Sequence, residues 1–229
     1  MNGCKLRFFD IVFSCLGLLV LFPVLLIVAV ILRFTGEGEI FFIQRRVGQY
    51  GKHFGIFKFA TMLKDSPNMG SGTITSKNDR RILSVGRFLR KTKLNELPQL
   101  LNILIGHMSL IGPRPHVPRD LEGVSKDVLE DVLKLKPGLS GVASLVFRDE
   151  ETIIQSFEDP RELYDSLIAP YKAELELWYF KNVSMSMYFL LIVATFGIVL
   201  LGRQHLIYKL IRDLPTPSRE LQELLKLNL

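Results

Sequence analysis

The chain is poor in cysteine, and both of its thiols sit at one end. Cys4 and Cys15 lie in or beside the first apolar run. Two thiols there cannot frame a disulfide-rich secreted fold or supply a zinc site, so reduced thiols and a cytoplasmic catalytic face are the economical assumption. Charge is missing over the 22 residues from Ile11 to Leu32. Acidic residues are scarce in the next stretch: Ile40 to Pro115 holds 3 Asp/Glu against 13 Lys/Arg. No low-complexity tract and no internal repeat occurs, which sets repeat architectures aside. The basic stretch lacks interleaved stacking aromatics, and no helix-turn-helix, zinc or single-strand-binding signature accompanies it. Nucleic acid is therefore a weak candidate partner for a chain of net charge +6.

Hydrophobic residues make up 48% of the 229 positions, and the mean hydropathy is +0.25. Apolar segments therefore come first. Ile11 to Leu32 is long enough to cross a hydrocarbon core, which takes roughly 20 helical residues. Lys5 and Arg7 precede it as they would a signal peptide, but Arg33, Glu37 and Glu39 follow it without a small-x-small cleavage site. It reads as a retained anchor. Pro23 in its middle removes a helix hydrogen bond and crowds the preceding turn. A kinked spanning helix is one reading. A helix-break-helix hairpin that enters and leaves by the same face is the other, and basic residues at both ends favour it through the positive-inside rule. Met185 to Leu201 is a second apolar run of 17 residues, at the short limit for a span. The pieces after it, HLIYKLIRDL and RELQELLKLNL, have apolar residues at helical spacing among charges, as short surface helices do.

The polar body is electrically split. Against the excess of ten positive charges from Ile40 to Pro115, Asp120 to Glu176 holds 14 Asp/Glu and 6 Lys/Arg. A solvated face is the ordinary explanation; anionic headgroups, a lipid phosphate or a nucleotide diphosphate are the sharper ones. Residue patterns predict strands at Glu39 to Val47 and Phe54 to Met62 around a turn at Gly48 to Gly51. A Gly/Ser/Asn-rich loop follows from Ser66 to Lys77. Helices are predicted over Asn78 to Leu89, Asn95 to Ile105, Lys126 to Leu135 and Arg161 to Trp178, with a rigid turn at Gly112-Pro113-Arg114-Pro115.

Three stretches exceed generic pattern: RKTKLNELPQLLN from Arg90, GHMSLIGPRP from Gly106 and LKPGLSGVASL from Leu135. With FIQRRVGQYGKHFGIFKFATM before them, they resemble the bacterial sugar transferase family, also called monotopic phosphoglycosyl transferases. The resemblance runs from Arg7-Phe8-Phe9-Asp10 to about Ser184. It implies an α+β, mainly helical fold: a compact cytoplasmic catalytic domain, a re-entrant N-terminal membrane helix hairpin and interfacial amphipathic helices. The segments would be 1–36 for anchoring, 37–183 for catalysis and 184–229 for the membrane-associated C-terminal helices. The implied reaction moves a sugar 1-phosphate from a UDP-sugar to a polyprenyl phosphate, usually undecaprenyl phosphate, with release of UMP. It would start a surface polysaccharide, lipopolysaccharide or exopolysaccharide at the bacterial inner membrane. Magnesium is the implied cofactor, and membrane lipids are implied partners; a homodimer is left open.

The family's Asp-Glu pair, whose Asp attacks phosphorus, corresponds to Asn95-Glu96, which would also hold the metal. Lys58, Arg90 and Arg114 correspond to its phosphate-binding cations. Each residue also has a plain reading. Asn95 is a preferred helix N-cap type, and Glu96 a first-turn glutamate favoured by the helix dipole. Lys58 reads as an outward strand charge, Arg90 as part of a basic run, and Arg114 as a surface arginine on a turn. Arg114 on a proline-clamped turn nevertheless offers a fixed fork for two phosphate oxygens. His107 and His116 read as structural. The chain departs from the family at Asn95 for Asp, at Phe22-Pro23 for Ser-Pro and at Ala60 for a basic residue. Asn95 keeps open an alternative: a catalytically silent member docked to the membrane as a partner in glycan assembly.

Overall fold

The computed structural model describes residues 3–69, 79–118, 126–155, 157 and 160–227. The first apolar run becomes helix α1, Gly3–Arg33, a single helix with Pro23 inside it. The expected break into two helices is absent. Only one intrahelical donor is lost at a proline, and the flanking run of leucine, valine and isoleucine carries the helix past it. By length and composition α1 is the one described helix able to cross a membrane.

Only a narrow stripe of α1 is buried, and that stripe touches protein from end to end. Leu6, Phe9 and Phe13 pack on the largest core, Leu18 and Leu21 on a second, and Leu25, Val28, Ala29 and Leu32 on a third. The opposite face, including Leu19 and Phe22, is exposed. Polar clamps fix the N-terminal end. Oδ1 of the buried Asp10 accepts hydrogen bonds from Ser109 Oγ, the Leu110 amide and the Tyr188 hydroxyl, each at 2.9 Å. Arg7 donates to the carbonyls of Ile103 and Leu104, which a helix ending at Leu104 leaves without intrahelical partners.

Strands β1 (Phe41–Val47) and β2 (His53–Phe59) pair antiparallel, Phe41 opposite Phe59 and Val47 opposite His53. The 3₁₀ turn Gln49–Gly51 joins them. The pair is two and three residues shorter than predicted at its outer ends, but the register is the one a hairpin requires. Residues 70–78, the body of the predicted loop, lie outside the described residues. Helix α2 spans Ser84–Lys91, not Asn78 to Leu89. Its predicted first turn is taken by other contacts: Ile82 bridges to Met62, the Leu83 amide bonds Thr61, and Arg81 folds onto Asp79.

The predicted helix from Asn95 divides in two. Leu94–Glu96 forms a 3₁₀ turn entered through Lys93 at φ 59°, and helix α3 begins only at Gln99 and ends at Leu104. Pro98 cannot continue a helix from the preceding turn and sits instead at its start. Strand β3 (Ser109–Ile111) pairs in parallel with β4 (Gly138–Ser140). Around that pair the two glycine-proline motifs cross backbone on backbone. A Cβ on Gly112 would lie 2.3 Å from the Lys136 carbonyl oxygen, and one on Gly138 would lie 2.1 Å from the Gly112 nitrogen. No side chain fits at the crossing, which is why GPRP and KPGLSG occur together. Between them lies α4 (Lys126–Val132).

The remaining chain is helical: α5 (Val142–Val146), α6 (Glu150–Gln155), α7 (Pro160–Leu163), a π-turn at Tyr164–Ile168, α8 (Ala169–Asn182) and α9 (Met185–Leu201). Ser184 caps α9 by accepting from the Met187 amide. Helices α10 (Leu206–Leu210) and α11 (Arg219–Leu224) fold back. Ile207, Leu221 and Leu225 enter the largest core, and the Tyr171 hydroxyl reaches Tyr208 and the Pro215 carbonyl. The apolar stripe of this tail thus faces protein. Val193, Phe196, Leu200 and Leu201 of α9 remain exposed.

Candidate active site

The charged and amide side chains singled out by the sequence gather where β2, the 3₁₀ turn and the Gly-Pro-Arg-Pro segment meet. Asn102 of α3 sets the distance between the first two. Its side chain donates to the Gly55 carbonyl at 2.7 Å and accepts from the Phe57 amide at 2.9 Å, tying α3 to the middle of β2. Lys58, next along that strand, then faces Glu96: Nζ lies 3.7 Å from Oε1. Arg114 approaches the same oxygen at 3.4 Å. From the other side Arg46 at the end of β1 donates to the Pro115 carbonyl, and the Val47 amide bonds His116. The resulting cleft is lined by Arg46, Lys58, Gln99 and Arg114, with Ile56 and Leu139 as its apolar walls.

The plain readings of three residues do not hold. Asn95 is not a cap: the side chain is buried, caps neither the 3₁₀ turn nor α3, and its Oδ1 has no hydrogen-bond partner among the described residues. Glu96 and Lys58 are each only 17% exposed and are paired, where a first-turn glutamate and an outward strand lysine would be solvated. Arg114 is 42% exposed, so its guanidinium is offered to the cleft. Arg90 stands apart from this group, at the end of α2, paired with Glu151 and within 3.7 Å of the Met62 sulfur.

Electrostatics reflect a shortage of negative charge. Burial alone would raise the Glu96 carboxyl, but Arg114, Lys58 and Lys93 outweigh it and hold it down at about 2. Burial pulls the Lys58 ammonium down to about 7; Glu96 opposes that, while Arg114, Arg46 and Arg90 reinforce it. His116 falls to about 4 through burial and the charges of Lys172, Arg46 and Arg114, and is neutral. His107 stacks at a tilt on Phe54. Glu96 shared between Lys58 and Arg114 leaves positive charge in excess, and a bound phosphate would restore Lys58 to its full charge.

Sequence reasoning missed four groups. Arg46 was hidden in a strand, Gln99 in a helix start. Glu176 and Lys172 lie on α8 far along the chain. The Glu176 carboxylate accepts the Arg114 amide at 3.2 Å and fixes the loop from behind. Burial pushes its carboxyl up to about 8, against the lowering effect of the Arg114 amide and of Lys172. Lys172 donates to Glu150 at 2.6 Å beneath the rings of Phe147 and Tyr164. Spacing could not have found these two, but the acidic bias of Asp120 to Glu176 pointed at their half of the chain.

A metal would have few protein ligands here. No group of three or more His, Cys, Asp or Glu side chains is placed to hold an ion among the described residues. Glu96 and the unpartnered Asn95 Oδ1 are, however, two adjacent hard oxygen donors. That number suits magnesium, which keeps waters and binds substrate phosphates alongside one or two protein oxygens.

The chain is similar in sequence to several known proteins. The undecaprenyl-phosphate glucose phosphotransferase of Komagataeibacter xylinus is 37% identical over 144 residues, which are 61% of this chain and 27% of that protein. The UDP-glucose:undecaprenyl-phosphate glucose-1-phosphate transferase of Klebsiella pneumoniae is 37% identical over 173 residues, 73% of this chain and 37% of that one. The exopolysaccharide production protein PSS of Rhizobium leguminosarum bv. phaseoli is 38% identical over 144 residues, 61% of this chain and 72% of that one. The chain thus spans about a third of the length of the first two. The family profile described as bacterial sugar transferase matches residues 1–202, and the chain belongs to that family.

Proposed function

We propose that this chain transfers a sugar 1-phosphate from a UDP-sugar to undecaprenyl phosphate, releasing UMP, as the first step of a bacterial surface glycan. The observation that carries the reading is the convergence of Lys58, Arg114 and Arg46 on one cleft, where Lys58 and Arg114 share the carboxylate of Glu96. Two phosphate groups must approach each other in such a transfer, so charge neutralisation and alignment dominate the barrier. The names of the relatives supply the donor and acceptor classes.

The chain's own residues divide the work. Arg114 and Lys58 draw the donor diphosphate into the cleft, Glu96 orients both cations, and Glu176 holds the Arg114 backbone in place. In the family route an aspartate attacks the donor's β-phosphorus, the bond to UMP breaks and a sugar-phosphate adduct passes to the lipid. A carboxamide cannot do this at Asn95. The route open to this sequence is direct: an oxygen of the lipid phosphate bonds to the β-phosphorus as the bridging oxygen departs with UMP. Bound magnesium, held by Glu96 and Asn95 Oδ1, would supply further neutralisation of the diphosphate.

A monotopic arrangement on the cytoplasmic face of the inner membrane is part of the same reading. Both ends of α1 are packed on one body, Arg7 and Asp10 at its start and Leu32 at its end. An unbroken helix that packs along one body from end to end can lie with that body in the interface without crossing the bilayer. Lys5, Arg7 and Arg33 at those ends favour the cytoplasm.

The test is UMP release with magnesium, undecaprenyl phosphate and a panel of UDP-sugars. The chain as it stands should turn over slowly, and Asn95→Asp should raise the rate at least tenfold, on the order of the gain from an activated nucleophile. With donor alone, intact-mass measurement should show a sugar-phosphate adduct on the Asn95→Asp variant and none on the unaltered chain. A fast unaltered chain, indifferent to Asn95→Asp and silenced by Glu96→Gln, would transfer the central role to Glu96. Asn95 also supports a second reading, a silent member that binds donor as a docked partner; donor binding without UMP release in either form is its signature.

A further inference from the structure

Helix α3 presents two side-chain amides toward β2, three residues apart and so on one face. Asn102 is spent on structure: it donates to the Gly55 carbonyl and accepts from the Phe57 amide. Gln99 is nearly as buried, at 3% exposure against 0%, yet its amide has no hydrogen-bond partner among the described residues. It is not sealed off either. Gln99 lines the cleft together with Lys58, Arg114 and Arg46, so the little surface it keeps is offered there. Ile56 precedes Lys58 by two residues on β2 and shares its face. With Leu139 it gives the cleft an apolar wall beside the charged one. The Asn102 bonds, to the residues on either side of Ile56, hold α3 at a fixed distance from this wall.

We propose that Gln99 reads the sugar of the donor, by pairing with the hydroxyl on the carbon next to the one that bears the transferred phosphate. The proposal rests on the cleft being the donor site. Lys58 and Arg114 suit the diphosphate, whose oxygens only accept. An amide brings an acceptor as well as a donor, so half of its capacity is wasted on a phosphate. A sugar hydroxyl donates and accepts at once and matches both halves. The sugar is bonded directly to the phosphate. With the phosphate at Lys58, the first two sugar carbons fall on the adjoining wall of Ile56, Leu139 and Gln99. A buried amide without partners is costly, and it persists where a ligand completes it.

The experiment is isothermal titration calorimetry of the full chain in lipid nanodiscs with UDP, UDP-glucose and UDP-2-deoxyglucose, without lipid acceptor. The unaltered chain should bind UDP-glucose roughly three- to tenfold more tightly than the 2-deoxy analogue, the range of one net hydrogen bond. Gln99→Leu should erase that difference and leave UDP affinity unchanged, which also shows that its cleft is folded. Equal affinity of the unaltered chain for UDP-glucose and the analogue overturns the proposal and leaves the donor site standing. A difference that survives in Gln99→Leu overturns it too. So does a loss of UDP affinity in that variant, which would put Gln99 on the diphosphate. No UDP binding by the unaltered chain removes the donor site and the proposal together.

Discussion

Two buried polar clusters lie along the same body and are built in opposite ways. At the foot of α1, Asp10 Oδ1 collects three donors at 2.9 Å, and Arg7 caps the carbonyl end of α3. Around the cleft, the partners of Glu96 stand at 3.4 and 3.7 Å, while Asn95 Oδ1 and Glu176 Oε2 have none among the described residues. A buried group that is fully bonded rigidifies its surroundings; one left short is costly and persists where a ligand completes it. The saturated cluster is a fastening and the unsaturated one a receptor. Substitutions should separate the two.

The largest effect should come from the fastening. Asp10→Ala strands Ser109, Leu110 and Tyr188 without their acceptor, and each buried donor left unsatisfied costs about 1–3 kcal/mol. Tyr188→Phe removes one donor of three and should cost only about 1 kcal/mol. Unfolding midpoints in detergent measure both, and donor affinity of the folded fraction should be unchanged. A loss of donor affinity without a loss of stability would erase the distinction drawn between the clusters.

The receptor should give the inverse result. Arg114→Ala should lower UMP release by about 10²-fold or more in the Asn95→Asp background, as lost charge-stabilising donors do. Its stability should hardly change, because the side chain is 42% exposed and meets its partner loosely. Lysine should rescue in part, since it restores charge without the fork. Full activity after Arg114→Ala removes Arg114 from the site.

Much of this division is written in the sequence, though unevenly. The apolar run from Ile11 announces α1, and the alternation around Gln44 and Lys58 announces the hairpin, because both are local patterns. Arg114 and Glu96 were legible through their motifs. The start of α2 was misread, since Ile82 and Leu83 have helical spacing but are claimed by Met62 and Thr61 from the preceding strand. The N-cap reading of Asn95 failed because Lys93 turns left-handed and Pro98 restarts the helix. Lys172 and Glu176 were illegible, for their meaning depends on α8 lying behind the Gly-Pro-Arg-Pro turn. The split of charge along the chain did not foretell that its basic and acidic halves touch, as Arg90 does with Glu151 and the Arg114 amide with Glu176.

Glu176 gives the most specific test, because it belongs to both clusters' logic: it fastens a loop yet is incompletely bonded. Burial raises its carboxyl from 4.5 to about 8, so the folded protein carries a proton here at neutral pH that the unfolded chain has released. The sign follows from linkage. The folded state binds more protons between those two values, so stability from this group is full below 4.5, falls as pH rises through the window and levels off above about 8. The slope it adds is at most about 1.4 kcal/mol per pH unit. Glu176→Gln keeps the carbonyl that accepts the Arg114 amide and has nothing to titrate. Its melting temperature should therefore decline less than that of the unaltered chain between pH 5 and 8 on the order of that slope, with UDP affinity at low pH preserved. Identical pH profiles for the two proteins would mean that Glu176 is ionised in the fold. Its charge, rather than its carbonyl alone, would then be holding the Arg114 loop.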